Sequence, residues 1–269
     1  VDPRHALQRV LEKARSMGYE VQAALEVEFY LLDPETRRPV DETLQCYSIE
    51  RAAQYERVLG AIGDSLLKMG ISVEACNTEY APGQFEVNVR HDEALRAADA
   101  HVQFRNAVRE IASQHGFLAT FMAKPFTDMS GSGVHIHQSL WRDGENAFAD
   151  EDGRLSDVGR AYLGGLLHHM QAGTIFGSPS ANAFKRREDY SFCPTRVNWG
   201  GDNRLVALRV IEGSRNAVRI EQRDGSADCN PYLILAAQIS AGLDGIERGL
   251  DPGEPVVGDA NAEGTGELL

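Results

Sequence analysis

The chain has 269 residues, of which 42% are hydrophobic and 25% charged, an ordinary globular composition with enough length for a sizeable core. Its net charge of −13 argues against a nucleic-acid backbone or an anionic membrane as a partner. No run reaches the roughly 18 apolar residues of a membrane span. The cysteines form no CxxC pair, which indicates reduced thiols in a cytoplasmic protein.

An amphipathic helix and a strand are the first predicted elements. Residues 2–17 carry an apolar stripe with helical spacing, after Asp2 as a capping residue and Pro3 in the first turn. Residues 19–32 alternate or run apolar, as a strand does. Residues 48–69 then predict a second helix.

The middle of the chain predicts paired strands and a long helix. Residues 71–80 and 83–89 flank an Ala-Pro-Gly turn and predict a hairpin. Residues 91–115 predict the long helix. Strands near 117–123 and 133–140 follow it.

The last third predicts a helix, a hairpin and a further helix. The helix covers residues 156–172, two alternating strands lie within 204–223, and the last helix starts at Pro231. The small, acidic residues after Leu250 predict a loose end rather than a domain. Because hairpin-like pairs dominate over strict strand–helix alternation, the pattern favours an α+β fold with a largely antiparallel sheet.

Acidic residues recur on the predicted strands. Glu26 and Glu28 are two residues apart and share one face, and Glu79 and Glu86 flank the Pro-Gly turn and could reach one cleft. Glu221 lies between two arginines. Carboxylates buried on strands need cations or hydrogen-bond donors, although each acid taken alone also fits a solvent-facing or salt-bridged strand.

Two histidines, His135 and His137, share one face of a later predicted strand. Together with the acids they form an oxygen-rich set that suits Mg²⁺ or Mn²⁺ better than a structural zinc. The spacing alone leaves open whether both imidazoles bind one ion or have separate roles.

Arginines are concentrated within about forty residues near the C-terminal end. Their planar forks match phosphate and carboxylate oxygens, and arginines combined with divalent ions fit phosphoryl transfer. The chain contains neither GxxxxGK[ST] nor GxGxxG, so a P-loop or Rossmann turn is excluded. These arginines are Arg186, Arg204, Arg209, Arg219 and Arg223.

Several stretches within residues 26–246 together resemble the glutamine synthetase family. They are "EVEFYLLD", "NTEYAPGQFEV", "SGSGVHIHQSL", "NAFKR", "NWGGDNRLVALR" and "AVRIEQRDGSADCNPYLILAAQISAGLDGI", in family order and spacing. The resemblance implies that residues 1–269 are the catalytic domain, with a curved, largely antiparallel sheet flanked by helices. It also implies an N-terminal β-grasp domain and a C-terminal helical part outside this chain, and assembly as stacked hexameric rings.

The resemblance implies two or more divalent cations, Mg²⁺ or Mn²⁺, and ATP. Glu28, Glu79 and Glu86 match the ligands of one ion, and Glu26, His135 and Glu221 match those of another. The positions that match nucleotide contacts are Glu74, His137, Ser139, Arg204, Arg209 and Arg219. His135 and His137 thereby receive separate roles.

The resemblance also implies contacts to glutamate or its acyl phosphate, and Arg204 and Arg223 are the candidate catalytic residues. Ser130 stands where the family often has a glutamate-contacting Asn, and serine reaches less far. The positions that match this substrate are Ser130, Gly131, Arg186, Arg204 and Arg223.

Phe192 stands where glutamine synthetases that use ammonia carry a glutamate in a flexible flap. An aromatic ring cannot hold ammonium as a carboxylate does, but it offers an apolar wall to an alkyl amine. The resemblance therefore implies an ATP-dependent ligase that joins the γ-carboxylate of glutamate to an organic amine through γ-glutamyl phosphate. The alternatives are a glutamine synthetase using ammonia, or a non-catalytic relative acting as scaffold or sensor.

Overall fold

The strand β1 (Glu20–Leu32) lies inside a ten-stranded sheet in the computed structural model, which describes residues 2–269. The other strands are β2 (Val73–Thr78), β3 (Gln84–Val89), β4 (Asp92–Glu93), β5 (Leu118–Thr120), β6 (Gly133–Arg142), β7 (Glu145–Asn146), β8 (Arg196–Val197), β9 (Trp199–Gly201), β10 (Leu208–Ile211), β11 (Arg219–Ser226) and β12 (Glu267–Leu268). The helices are α1 (Pro3–Ser16), α2 (Ile49–Gln54), α3 (Glu56–Lys68), α4 (Ala94–Gln114), α5 (Asp157–Gly177), α6 (Ala181–Phe184) and α7 (Pro231–Arg248).

The sheet has the strand order β2-β3-β1-β6-β11-β10-β9. Its neighbours are antiparallel, apart from the parallel pair of β9 and β10. The short strands β4 and β5 also pair with β1, β7 pairs with β6, and β8 and β12 form a separate ribbon. This arrangement confirms the α+β class and the largely antiparallel sheet.

One face of β1 is apolar and packs in the core, and the other face carries acidic side chains. Leu25, Val27 and Phe29 are buried in the hydrophobic core, where α4 packs against the strand. Each such side chain contributes roughly 1.5–3 kcal/mol when it is fully buried. Glu26 and Glu28 alternate with them and therefore point to the other face, which leaves that face free for chemistry.

The helices pack on one another as well as on the sheet. α7 packs against α1, α4 and α5, and α5 also contacts β11. The predicted start of α1 is confirmed, because the Asp2 carboxylate accepts a hydrogen bond from the Arg4 backbone N–H at 3.0 Å. Within residues 2–269, no helix combines the length and the apolar character needed to cross a membrane.

The predicted helix over residues 48–69 is interrupted at Tyr55, which ends α2 and precedes α3. The Tyr55 hydroxyl donates to the Val40 carbonyl at 2.9 Å, and its ring packs edge-on against Phe85 and Phe117. Docking of this aromatic side chain fixes the chain where two helical segments meet. The pattern of apolar residues in the sequence could not predict that tertiary contact.

The prediction of a loose end after Leu250 is wrong. Trp199 Nε1 donates to the Pro252 carbonyl at 3.1 Å, and the Val256 N–H donates to the Trp199 carbonyl at 2.8 Å. Ala260 is buried, and β12 pairs with β8. Hydrogen bonds to its backbone groups, from both side chains and backbone, attach this segment together with the burial of Ala260, and composition does not reveal such bonds.

Candidate active site

A cavity of about 590 Å³ lies on the polar face of the sheet. Strands β1, β3, β6 and β11 and the loops around them line it. It brings together every predicted metal ligand and every predicted contact to the acid substrate. Of the predicted site residues, Glu26, Glu28, Glu79, Glu86, Ser130, Gly131, His135, His137, Arg186, Phe192, Arg204, Arg209, Arg219, Glu221 and Arg223 line this cavity.

The remaining predicted nucleotide contacts, Glu74 and Ser139, line a second cavity of about 260 Å³. Glu26, His137 and Arg219 line both cavities. The structure therefore separates these two residues from the main cavity and places them next to it. An elongated ligand with a head group in one cavity and a body in the other fits this division.

Strand register explains why side chains distant in sequence meet. Glu28 stands opposite Glu86 on β3, and Glu26 stands opposite His135 on β6. On the far side of β6, His137 stands opposite Glu221 on β11. Directly opposed residues on one face have Cβ atoms about 4.5–5.5 Å apart, so the pairing of four strands assembles a continuous row of acids and imidazoles.

The acids at one end of this row are crowded. Burial, followed by the charge of Glu28, raises the pKa of Glu79 to about 8 and that of Glu86 to about 9. Glu28 accepts hydrogen bonds from the Gly133 N–H at 2.7 Å and from Gln84 Nε2 at 3.3 Å. Carboxylates that are buried side by side fit a divalent cation, because the ion offsets their mutual repulsion.

The other end of the row joins acids to imidazoles. Glu26 Oε1 lies 3.1 Å from His137 Nε2, and His135 Nδ1 lies 3.8 Å from Glu26 Oε2 and 3.6 Å from Glu221 Oε1. Burial opposes ionisation of Glu26, but its contacts with the imidazoles hold its pKa well below the usual range. This carboxylate is therefore ionised and available to a cation.

Two groups of three side chains bring their ligand atoms within 4.8 Å of one another: Glu26, Glu86 and His135, and Glu26, His137 and Glu221. His137 differs from His135, because Arg219 Nε donates a hydrogen bond to His137 Nδ1 at 3.1 Å. With Nδ1 accepting, a neutral imidazole carries its proton on Nε2 and cannot ligate through that atom. This contact favours His135 as the ligand.

Different outcomes are expected from removing the two histidines. His135→Ala should reduce Mn²⁺ affinity by about 10- to 100-fold, a range typical of lesions at metal sites. His137→Ala should leave the Mn²⁺ affinity within about threefold of that of the unmodified protein. It should instead lower the affinity for ATP, because it removes the hydrogen-bond partner of Arg219. Isothermal calorimetry with Mn²⁺ and with ATP measures both. An equal loss of Mn²⁺ affinity in the two variants would mean that both imidazoles bind the same ion.

The raised pKa values of Glu79 and Glu86 predict a pH-dependent response to metal. Between their ordinary pKa and about 9, the folded protein binds more protons than the unfolded chain, so the free energy of unfolding falls as pH rises. A cation binds the ionised carboxylates, so the gain in melting temperature from Mg²⁺ should grow from about pH 6 to about pH 9. Glu86→Gln should flatten this dependence. A gain that is independent of pH would contradict the prediction.

Two of the arginines at the cavity wall, Arg209 and Arg223, are already paired with an acid. Glu221 accepts from Arg209 Nη1 at 3.1 Å and also pairs with Arg223. Burial opposes ionisation of Glu221, but the imidazoles and these guanidinium groups lower its pKa. Arg186 is buried, and Arg204 reaches the Tyr47 hydroxyl at 3.4 Å. Guanidinium groups held in this way are positioned for oxygen anions.

The turn at Gly131 is close to Arg186. A Cβ atom at Gly131 would lie 2.5 Å from Arg186 Cγ and 2.8 Å from the Ala123 carbonyl oxygen, so a side chain does not fit. The neighbouring Ser130 carbonyl accepts from the Tyr30 hydroxyl at 2.6 Å. These contacts hold the backbone of Ser130 and Gly131 at the cavity wall.

Sequence reasoning missed Gln84, which is buried and joins two parts of the site. Its Nε2 donates to the Gly131 carbonyl at 3.0 Å and approaches Glu28 Oε2. Alternation along β3 puts Gln84 on the same face as Glu86, and that pattern could have identified it. Tyr47 and Tyr80 also line the cavity, but no alternation pattern in the sequence indicated them.

Phe192 lies at the cavity mouth, in the loop between α6 and β8. Its φ of +66° is in the left-handed region, and its ring centroid is 5.0 Å from that of Tyr80. Nearby, Asp189 accepts from Thr195 and the Tyr190 hydroxyl donates to Asp259, so these loop groups have surface partners. The loop thus presents an aromatic pair to the cavity.

Comparison with known proteins identifies the class to which this fold and site belong. The model of the glutamine synthetase catalytic domain matches residues 1–267. The chain belongs to the glutamine synthetase family.

Its relatives include enzymes named for different acceptors. It is 38% identical to glutamate–isopropylamine ligase from a Pseudomonas species, over 97% of the chain and 60% of that protein. It is 39% identical to a glutamine synthetase from Thermotoga maritima, over 95% and 60% of the respective chains. It is also 39% identical to gamma-glutamylethanolamide synthetase GlnA4 from Streptomyces coelicolor, over 96% and 58%.

The fold is similar to solved structures of GmaS. A GmaS/ADP complex superposes with a TM-score of 0.92 at 34% identity, covering 99% of this chain and 65% of that one. The chain spans about 60% of the length of the curated relatives that it matches.

Proposed function

We propose that the full-length protein is an ATP-dependent ligase that joins the γ-carboxylate of glutamate to an organic amine. The observation that supports it best is the convergence, in one cavity, of the acid–imidazole row with the arginines and an aromatic mouth. The acids and arginines suit phosphoryl transfer to a carboxylate. The names of the relatives support glutamate as the acid.

The proposed reaction has two steps. A γ-carboxylate oxygen of glutamate attacks the γ-phosphorus of ATP, ADP leaves, and γ-glutamyl phosphate forms. The amine nitrogen then attacks the acyl carbon, inorganic phosphate leaves, and the nitrogen loses a proton as the amide forms. Arg186, Arg204 and Arg223 would hold the acid and the transferring phosphoryl group, and Arg204 and Arg209 would hold the ATP phosphates.

The candidate metal ligands fit divalent cations, because burial and then the charge of Glu28 raise the pKa values of Glu79 and Glu86, and a bound cation offsets both effects. Mg²⁺ or Mn²⁺ held by Glu26, Glu28, Glu79, Glu86, His135 and Glu221 would supply positive charge beside the phosphate oxygens. The second cavity, with Glu74, His137, Ser139 and Arg219, would take the remainder of the nucleotide.

In this proposal, Phe192 determines which amine the enzyme prefers. Together with Tyr80 it gives the cavity mouth an aromatic wall, and an alkyl chain buries apolar surface there. Ammonium has no carbon atoms to place on these rings. Ser130 has a shorter side chain than asparagine, so it fills less of the part of the cavity proposed to bind glutamate. Ammonia remains the second candidate acceptor, since several relatives are named glutamine synthetases.

Steady-state assays with ATP, glutamate and a panel of amines test the proposal on the full-length protein. Isopropylamine and ethanolamine should be used at least about tenfold more efficiently than ammonia, a difference equivalent to burying one or two methylene groups. Phe192→Glu should shift this ratio towards ammonia. Turnover with ammonia that equals the best organic amine would overturn the amine assignment, and ATP binding without any turnover would favour the scaffold or sensor alternative.

We further propose how this domain functions in the whole protein. The full-length protein would add an N-terminal β-grasp domain and a C-terminal helical part, assemble as stacked hexameric rings and act in the cytoplasm. The greater length of the relatives supports added segments, and the four unpaired cysteines support a reducing compartment.

A further inference from the structure

The amide side chain of Gln84 lies between the candidate metal ligand Glu28 and the turn at Gly131. Gln84 stands opposite Tyr30 in the pairing of β3 with β1, and strand alternation puts it on the same face as Glu86. The residue is only 1% exposed, so its amide depends on protein groups for hydrogen bonds. The reaction steps proposed above do not involve it.

The orientation of the Gln84 amide is fixed, because each of its polar atoms has a partner. Nε2 donates to the Gly131 carbonyl at 3.0 Å and to Glu28 Oε2 at 3.3 Å. Oε1 accepts from the Ala81 N–H at 3.3 Å. A flipped amide would place its oxygen against two acceptors and its nitrogen against a donor, so only the observed orientation satisfies all three contacts.

These contacts give the two oxygens of the Glu28 carboxylate different surroundings. Oε2 accepts from the Gly133 N–H at 2.7 Å as well as from Gln84, whereas Oε1 accepts no hydrogen bond from residues 2–269. Glu28 lines the main cavity, so Oε1 is the oxygen available to a cation there. Gln84 and Gly133 therefore orient a metal ligand from behind, as the hydrogen-bond partners of ligating carboxylates do.

The turn that Gln84 contacts is packed against the arginine proposed to hold the acid substrate. A Cβ atom at Gly131 would lie 2.5 Å from Arg186 Cγ. A Cβ atom at Gly133 would lie 2.9 Å from Arg186 Nη2 and 3.6 Å from Glu28 Oε2. Because so little space separates these groups, a shift of the turn reaches both the guanidinium and the carboxylate.

We propose that Gln84 is a positioning residue that couples cation binding at Glu28 to binding of the acid substrate at Gly131 and Arg186. This inference rests on the proposed function, because it takes glutamate as the acid and Glu28 as a metal ligand. A cation that fixes Glu28 also fixes the Gln84 amide and, through it, the turn. Glutamate then binds a turn that is already ordered, which raises its affinity. By linkage, glutamate raises the affinity for the cation by the same factor.

Calorimetry on the full-length protein measures this coupling without turnover, because ATP and the amine are left out. Glutamate is titrated with and without saturating Mn²⁺, and Mn²⁺ is titrated with and without saturating glutamate. In the unmodified protein, each ligand should raise the affinity for the other by at least about tenfold. Equal affinities with and without the second ligand would overturn the proposal.

Two substitutions of Gln84 test its part in the coupling. Gln84→Met keeps the side-chain length and removes both N–H groups, and it should lower the coupling factor at least about fivefold. Gln84→Glu keeps an oxygen for the Ala81 N–H. Even when protonated, this side chain offers one donor where the amide offers two, so it should lower the factor as well. Thermal unfolding verifies that both variants fold.

Two control variants each weaken one site without joining the two. Asn88 Nδ2 donates to the metal ligand Glu86 at 3.0 Å, and the Tyr30 hydroxyl donates to the Ser130 carbonyl at 2.6 Å. Asn88→Ala should lower the affinity for Mn²⁺, and Tyr30→Phe should lower the affinity for glutamate. Each should keep the coupling factor within about twofold of that of the unmodified protein.

The outcomes separate this inference from the proposed function. If Gln84→Met bound both ligands with an unchanged coupling factor, Gln84 would have no part in the coupling, and the proposed ligase reaction would be unaffected. If the unmodified protein bound no glutamate, both the coupling and the proposed function would be wrong.

Discussion

Arg223→Lys is expected to lower kcat/KM for glutamate by about 10²- to 10³-fold in the full-length protein, the loss typical of removing one donor to a developing anion. Arg223 is buried and pairs with Glu221 through one nitrogen. Its planar fork leaves other N–H groups for an acid substrate or its acyl phosphate. A lysine offers a single point charge, and pairing with Glu221 would turn that charge away from the substrate.

The same substitution at Arg219 provides the comparison on β11. Arg219 contacts His137 and lines both cavities, so Arg219→Lys should raise KM for ATP and leave KM for glutamate within about twofold. Initial-rate kinetics with each substrate varied in turn separate the two patterns, and thermal unfolding verifies that both variants fold. If the two variants changed the same parameter, the division of the arginines between acid and nucleotide would be wrong.

Glu28→Gln is expected to reduce Mn²⁺ affinity by about 10- to 100-fold and kcat by a similar factor. The amide oxygen still accepts from the Gly133 N–H, so the local backbone is retained while one negative charge disappears. Because the Glu28 charge raises the pKa values of Glu79 and Glu86, both values should fall in the variant. Calorimetry gives the affinity, and the pH dependence of metal binding gives the pKa change.

Glu20→Gln is the matched control, since Glu20 lies on the same strand but is exposed and outside the cavity. It should leave Mn²⁺ affinity and turnover within about twofold of the unmodified protein. Loss of metal binding in both variants would mean that net charge, rather than a site at Glu28, controls the ion.

Much of the site could be predicted because strand alternation is visible in sequence. Glu26 and Glu28 share a face in any strand, and the register of β1 with β3 and β6 then gives each its partner. The division of the site into two adjoining cavities could not be predicted from strand alternation. Glu74 on β2 and Ser139 on β6 are separated in the sheet by β3 and β1, yet both line the cavity beside the main one, and no local pattern encodes that arrangement.

The fold shows the same contrast. The helices α1 and α7 have capping residues and apolar stripes, and both are present as predicted. The break at Tyr55 depends on its ring meeting Phe85 and Phe117, residues 30 or more positions later. The attachment of the last segment depends on carbonyl groups of Pro252 and Ala260, and a sequence does not indicate which backbone groups find partners.

The order of the strands along the chain determines when the site can form during synthesis. β1 can pair with β3 once residue 89 has emerged from the ribosome, and its last residues can pair with β5 once residue 120 has emerged. The rest of that second edge waits for β6, and β6 in turn waits for β11 at residues 219–226. Contacts of such long sequence separation form slowly, and until then the edge of β6 exposes unpaired backbone N–H and C=O groups that can pair with other chains. Binding of the proposed metal ions would therefore be a late event, because Glu221 on β11 completes the candidate ligand set.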